Sequence, residues 1–217
     1  MAAPRPGVAA PFARCVFVNC PFDDTYLPLL HTLLFTIHDC GFVARIAVED
    51  TGGSEMRIDK ITRIIRESCY SIHDISRVET DGTSGLPRFN MPFEAGLALG
   101  ATRFERARPA RPRRDFLLLD AVRHRDRQTL SDLAGQDAKA HDNDPARLVA
   151  AVREFLAAKA RPERTRGARA IWARYEAFSR ELPAISAEFD YPVEELLSFG
   201  YIPEWTEAVT MWQRKTF

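Results

Sequence analysis

No run of about 18 consecutive apolar residues occurs in the 217-residue chain, which excludes a membrane-spanning helix. Residues 1–14, MAAPRPGVAAPFAR, lack the continuous apolar stretch of a secretory leader and read as a frayed lead-in. Net charge is also missing. Thirty basic residues balance thirty acidic ones, whereas a protein that wraps polyanions carries a basic excess. General nucleic-acid binding is therefore not expected. Cysteine is scarce and unpaired: Cys15, Cys20, Cys40 and Cys69 form no C-x-x-C, and no His/Cys cluster has metal-ligand spacing. The expectation is buried, reduced thiols in a cytoplasmic protein, with no metal. The phosphate cradles G-x-G-x-x-G and G-x-x-x-x-G-K-[ST] are absent, so P-loop and Rossmann readings lack their backbone amides. No G-x-S-x-G elbow supports a Ser/His/Asp triad.

The residues present are 46% hydrophobic and 28% charged, enough apolar content for a sizeable core. Apolar β-branched runs at 15–18, 42–48, 70–75 and 116–120 read as strands. Between and after them, helical spacing covers 26–40 (Leu29, Leu30, Leu33, Leu34, Ile37), 57–67 (Ile58, Ile61, Ile64, Ile65), 91–100 and 144–160. Thr25 is a candidate cap for the first helix and Gly41 its stop, while Asp144 and Pro145 open the last. Strand and helix alternate throughout 14–160. That pattern implies an α/β domain of the flavodoxin-like, doubly wound kind, with a parallel sheet covered on both faces. Residues 161–217 read as a helical, aromatic-rich extension packed on it. Trp172, Tyr175, Phe178 and Leu182 make one apolar face there that a lone helix cannot keep in water. Arg-rich stretches (103–127 and 161–180) face an acidic one (181–207), and such opposed patches favour packing of the tail on the body or a homo-oligomer.

In an open parallel sheet, ligands bind outside the carboxyl ends of the strands. That rule selects the loops 19–26, 49–55 and 74–94. Glu94 is the sharpest feature. Pro92 suits a first helical turn and places Glu94 with it at the ligand edge; Gly96 and Gly100 suggest close helix packing. Asp74 and Ser76 close the preceding strand, and Arg88 and Asn90 stand just before the helix. Asn19, Phe22 and Asp23 line the other wall. A carboxylate in such a crevice can act as a nucleophile or stabilise an oxocarbenium-like sugar C1′. His73 falls on the other face of its strand from Asp74 and reads as packing.

The segments VFVNCPFDDTY, HDIS, RFNMPFEAGLALGA, FLLLD and DLAGQDAKAHDNDP together resemble bacterial proteins related to nucleoside 2-deoxyribosyltransferases and to TIR-like domains. The resemblance covers most of 14–160. It implies that Glu94 is the carboxylate facing the anomeric carbon of an N-glycoside and that Asp74 contacts the base. It further implies NAD, a nucleotide or a nucleoside as substrate, with no bound cofactor. A role as an antiphage effector with a defence-system partner protein follows from the same resemblance. Deoxyribosyltransferases carry Asp-x-Gly-Thr just before the glutamate; residues 86–92 differ here, so the implied sub-pocket differs too. The expected function is thus an N-glycosidase or glycosyl-transfer enzyme, with a non-catalytic nucleotide sensor or interaction module as the alternative.

Overall fold

The computed structural model describes residues 11–49, 55–78, 87, 89–105, 112–133, 138–160 and 164–216. Five parallel strands form one sheet in the order β2-β1-β3-β4-β5. They are β1 (Cys15–Asn19), β2 (Val43–Ile46), β3 (Tyr70–Asp74), β4 (Asp115–Asp120) and β5 (Lys139–Ala140). The helices are α1 (Leu27–Asp39), α2 (Arg57–Glu67), α3 (Asn90–Phe104), the short α4 (Asp126–Thr129) and α5 (Pro145–Ala157), followed by α6 (Ala168–Glu188), α7 (Val193–Leu196) and α8 (Ile202–Lys215). This is the flavodoxin-like α/β order, with C-terminal helices added. β1 and β3 are neighbours although α1, β2 and α2 intervene in sequence, so strand order reverses between them.

Strand alternation sorts the core into two layers. Val16, Val18, Ile72, Leu117 and Leu119 face α1 and α5. Phe17 faces the other way, against Ile61, Ile64 and Ile65 of α2 and Ala98 of α3. The three isoleucines recur at spacings of three and four, which gives α2 one buried face.

Helix α1 is different, because ten of its thirteen residues are buried, polar ones included. The reason is a second cover. Phe35 lies 5.4 Å from Tyr175, 5.6 Å from Phe178 and 6.0 Å from Trp212, so α6 and α8 enclose the side of α1 turned away from the sheet. Asp39, buried at the end of α1, accepts from Arg174 Nε at 2.9 Å and from Gln213 Nε2 at 3.5 Å. A carboxylate at a helix C-terminus opposes the helix dipole, and the Arg174 guanidinium offsets it.

Local stops follow from local chemistry. Gly41 has φ of +82°, its N–H donates to His38 O, and Phe42 N–H donates to Ile37 O, a Schellman ending that needs a residue free to take positive φ. Asp144 caps α5 by accepting from Ala146 N and Arg147 N. Thr25, by contrast, does not cap α1. Its hydroxyl donates to Asp23 Oδ1 at 2.5 Å, and Asp23 itself accepts from Tyr26 N at 3.0 Å.

His31 stacks on Trp205 with ring centroids 4.6 Å apart, and neither His31 Nε2 nor Trp205 Nε1 has a hydrogen-bond partner. Burial holds the His31 imidazole down to about 4, against an ordinary 6.5. The unfolded chain takes up this proton as pH falls through 6.5; the folded chain resists until about 4, so stability drops across that interval. His31→Phe keeps the stacking and removes both the orphaned nitrogen and the titration. Urea unfolding at a series of pH values should show the variant at least as stable as the parent at neutral pH. Its advantage should grow by about 2–3 kcal/mol as the solution is acidified towards pH 4. An advantage that stays constant with pH would contradict this assignment.

Candidate functional site

The carboxyl edge of the sheet carries two buried carboxylates in unlike settings. Asp74, the last residue of β3, is fully buried on the α1/α5 side. It accepts from Tyr26 Oη at 2.5 Å, from Ser76 N at 2.9 Å, from Ser76 Oγ and from His141 Nε2 at 2.9 Å. Asn143 N–H donates to His141 Nδ1 at 3.1 Å, so Nδ1 is the acceptor and Nε2 carries the proton given to Asp74. Burial alone would raise the Asp74 carboxyl. The donors from His141, Ser76 and Tyr26 outweigh it and hold the group below its ordinary range. Ser76, His141 and Asp74 are not a hydrolytic triad, because one imidazole nitrogen meets both the hydroxyl and the carboxylate.

This network binds the strand ends together. Arg77 grips Asp23 with Nε at 3.0 Å and Nη2 at 3.1 Å, lacing the loop after β3 to the loop after β1. Arg125 donates to Ser76 O at 2.7 Å and pairs with buried Asp120, adding the loop after β4. Asp23 sits below its ordinary range: partial burial pushes it up, and the Arg77 and Thr25 hydrogen bonds more than reverse that.

Glu94 lies on the opposite face of the sheet, in α3. The helix begins at Asn90, so Glu94 is its fifth residue and belongs to the second turn rather than the first. Its side chain is 7% exposed, and its one partner among the described residues is Arg57 Nη2 at 4.0 Å. Among the described residues no hydrogen bond reaches it. Burial pushes the Glu94 carboxyl above its ordinary range, and the Arg57 charge opposes this only in part. Arg57 is the first residue of α2 and its side chain is 62% exposed.

Asn19 fixes the start of α3 to the sheet. Its Nδ2 donates to Met91 O at 2.8 Å and to His73 Nδ1 at 3.1 Å. His73 then donates from Nε2 to Ser71 Oγ at 2.9 Å; burial lowers it to about 3, so it stays neutral and serves packing. Cys20 stands between the two carboxylate settings. It is fully buried, and burial together with Asp74, Glu94 and Asp23 pushes its thiol well above the ordinary range. All four cysteines are free and buried.

The other expected residues are placed as follows. Phe22 is half-buried against Phe199, ring centroids 5.8 Å apart, and so joins the loop after β1 to the C-terminal region. Asn90 is exposed at the first position of α3. Arg88 lies outside the described residues. Gly96 and Gly100 are not close-approach positions: nothing comes within 4 Å of a Cβ built on Gly96, and only the Phe104 ring does at Gly100. Phe93 is exposed rather than packed, as is Phe89 one turn earlier. Arg57, Arg77 and His141 were not expected as site residues, and Tyr26 was expected only as an aromatic of the loop 19–26. Tyr26 and His141 lie within the quoted VFVNCPFDDTY and DLAGQDAKAHDNDP segments, whereas nothing local marks Arg57.

A small cleft lined by Phe17, Ile65, Cys69, Ala98 and Arg114 opens at the amino edge of β3 and β4, and neither buried carboxylate of the carboxyl edge reaches it. Among the described residues, no group of three His, Cys, Asp or Glu side chains could hold a metal ion, and no helix is long and apolar enough to cross a membrane. Comparison with family models, with curated proteins and with solved structures finds no match to this chain.

Because its folded-state value is depressed, Asp74 contributes stability that is present above the ordinary aspartate value of 3.8 and lost as pH falls through the folded value. Asp74→Asn should lower unfolding free energy by about 2–4 kcal/mol at neutral pH, since it leaves buried donors mismatched. The variant's stability should also fall less steeply than the parent's below pH 3.8. Chemical denaturation across pH checks both; parallel acid limbs would contradict the hydrogen-bond assignment.

Proposed function

We propose that the chain is an N-glycosidase or glycosyl-transfer enzyme acting on a nucleotide or nucleoside, with Glu94 as the carboxylate that faces C1′. The observation that carries this reading is the state of Glu94: buried at the carboxyl edge of a doubly wound sheet, yet with no hydrogen bond to satisfy it among the described residues. A buried carboxylate of this kind costs stability. Asp74 shows how the same fold satisfies a carboxylate whose task is structural. An unsatisfied one suits a site where positive charge develops on the substrate.

Loss of a base or nicotinamide leaves the sugar cation-like at C1′. A fixed carboxylate in a water-poor setting stabilises that charge without reorganisation, or attacks C1′ to form a glycosyl intermediate that water or an acceptor then resolves. The Arg57 charge opposes in part the upward push that burial gives the Glu94 carboxyl. Exposed Phe89 and Phe93 supply apolar ring faces, at the same end of α3, on which a base can stack. The resemblance to deoxyribosyltransferases and TIR-like domains points to the same residue. Asp74, spent on four internal donors, acts in this reading by positioning the loops and not by touching the base.

Incubation with NAD, nucleosides and nucleotides, followed by chromatography of released base, tests the assignment. Glu94→Gln should reduce base release by roughly 100- to 1,000-fold. It should not lower the unfolding midpoint, because it removes a buried charge that accepts no hydrogen bond among the described residues and meets only a distant, mostly exposed guanidinium. Unchanged turnover would remove Glu94 from the reaction. Ligand stabilisation in thermal shift without any product would indicate a nucleotide sensor instead.

A further inference from the structure

The cation beside Glu94 sits where electrostatics alone would not put one. Arg57 is the first residue of α2, at the positive end of an eleven-residue helix, where acidic side chains are the favoured ones. The α2 N-cap position is Met56, which offers no side-chain cap, so the first-turn N–H groups have no such acceptor. The Arg57 guanidinium is mostly exposed and meets Glu94 through one nitrogen at 4.0 Å, beyond hydrogen-bond distance. Among the described residues it has no other partner. The Arg57 guanidinium, with five N–H donors at the start of α2, therefore stands beside a 93%-buried carboxylate that accepts no hydrogen bond among the described residues. Neither group satisfies the other.

A ligand that answers both needs carries an anion for Arg57 and a cation-like carbon for Glu94. A nucleoside 5′-phosphate carries both on one sugar. Guanidinium matches phosphate with paired, charge-assisted hydrogen bonds, and backbone N–H groups at a helix N-terminus add to them. We infer that Arg57 with the amino end of α2 is the phosphate-recognising part of the Glu94 site, so that the substrate class is 5′-phosphorylated nucleotides rather than free nucleosides. The inference rests on the glycosidase reading of Glu94 for its chemistry, but its binding claim stands apart from turnover. A bound phosphate also draws the Arg57 charge away from Glu94, so substrate binding and the carboxylate's proton affinity are linked.

The test uses the full chain and named probes: the common ribo- and deoxyribonucleosides, each with its 5′-monophosphate, and NAD. Calorimetry and thermal shift measure binding, and chromatography follows base release in the same samples. At least one 5′-phosphate should bind about 10- to 100-fold more tightly than its own nucleoside. Arg57→Ala should collapse that ratio towards one, and Arg57→Lys should retain part of it. Raised salt should shrink the ratio in the parent. The inference is overturned if no phosphorylated probe binds, if nucleoside and 5′-phosphate bind alike, or if the preference survives Arg57→Ala. The two readings fail separately. Base release that depends on Glu94 without any phosphate preference sinks the inference and leaves the glycosidase. Phosphate preference that depends on Arg57 without base release does the reverse.

Discussion

The carboxylate of Asp74 is the point on which the carboxyl edge of this sheet depends. It is fully buried, and a buried charge survives only where donors replace water. The four that do so come from three places: Tyr26 before α1, the backbone and hydroxyl of Ser76, and His141 after β5. Each donor is supported in turn. Asn143 sets the tautomer of His141, Arg125 holds the Ser76 carbonyl, and Arg77 crosses from the same loop to Asp23. The loops after β1, β3, β4 and β5 are thereby held in one polar network, and the loop positions that a ligand would meet are set before it arrives.

Across the sheet the arrangement is inverted. The alternation of β-strand side chains sends Asn19 and His73 to the α3 side and Asp74 to the α1 side. Asn19 gives one donor to Met91 O of α3 and one to His73 of β3, and neither reaches Glu94. Among the described residues only Arg57 approaches Glu94, from the start of a different helix. One edge thus carries a satisfied carboxylate that organises the fold and one that no hydrogen bond among the described residues satisfies. The C-terminal helices support this at a distance. They bury the outer side of α1, and Phe199 on Phe22 ties the connection preceding α8 to the loop after β1.

Much of the architecture is legible in the residues themselves. The isoleucine spacing marks α2 to its observed ends, and Gly41 marks the end of α1 through a conformation few other residues accept. Asn19 and Asp74 stand at the ends of β1 and β3 as their strand patterns indicate, whereas Glu94 falls in the second turn of its helix and not the first. The misreadings have physical causes. β5 is two residues long and exists only by pairing with Leu119 and Asp120 of β4, so no local pattern announces it. Thr25 has the chemistry of a cap, but Asp23 captures its hydroxyl. Gly96 and Gly100 have the spacing of a close helix contact, yet among the described residues only the Phe104 ring of the same helix comes within 4 Å, at Gly100. Arg57 is invisible because its meaning lies in tertiary proximity to Glu94, which no spacing encodes.

The two buried carboxylates are held on opposite sides of their ordinary titration ranges. Carbon-13 NMR titration of side-chain carboxyls, assigned with Glu94→Gln and Asp74→Asn, reads both groups in one experiment. Glu94 is predicted to titrate above the ordinary glutamate value of 4.5, and Asp74 below 3.8. A Glu94 carboxyl that titrates at or below 4.5 would show it to be solvated or hydrogen-bonded, and would contradict the account of the site built on it.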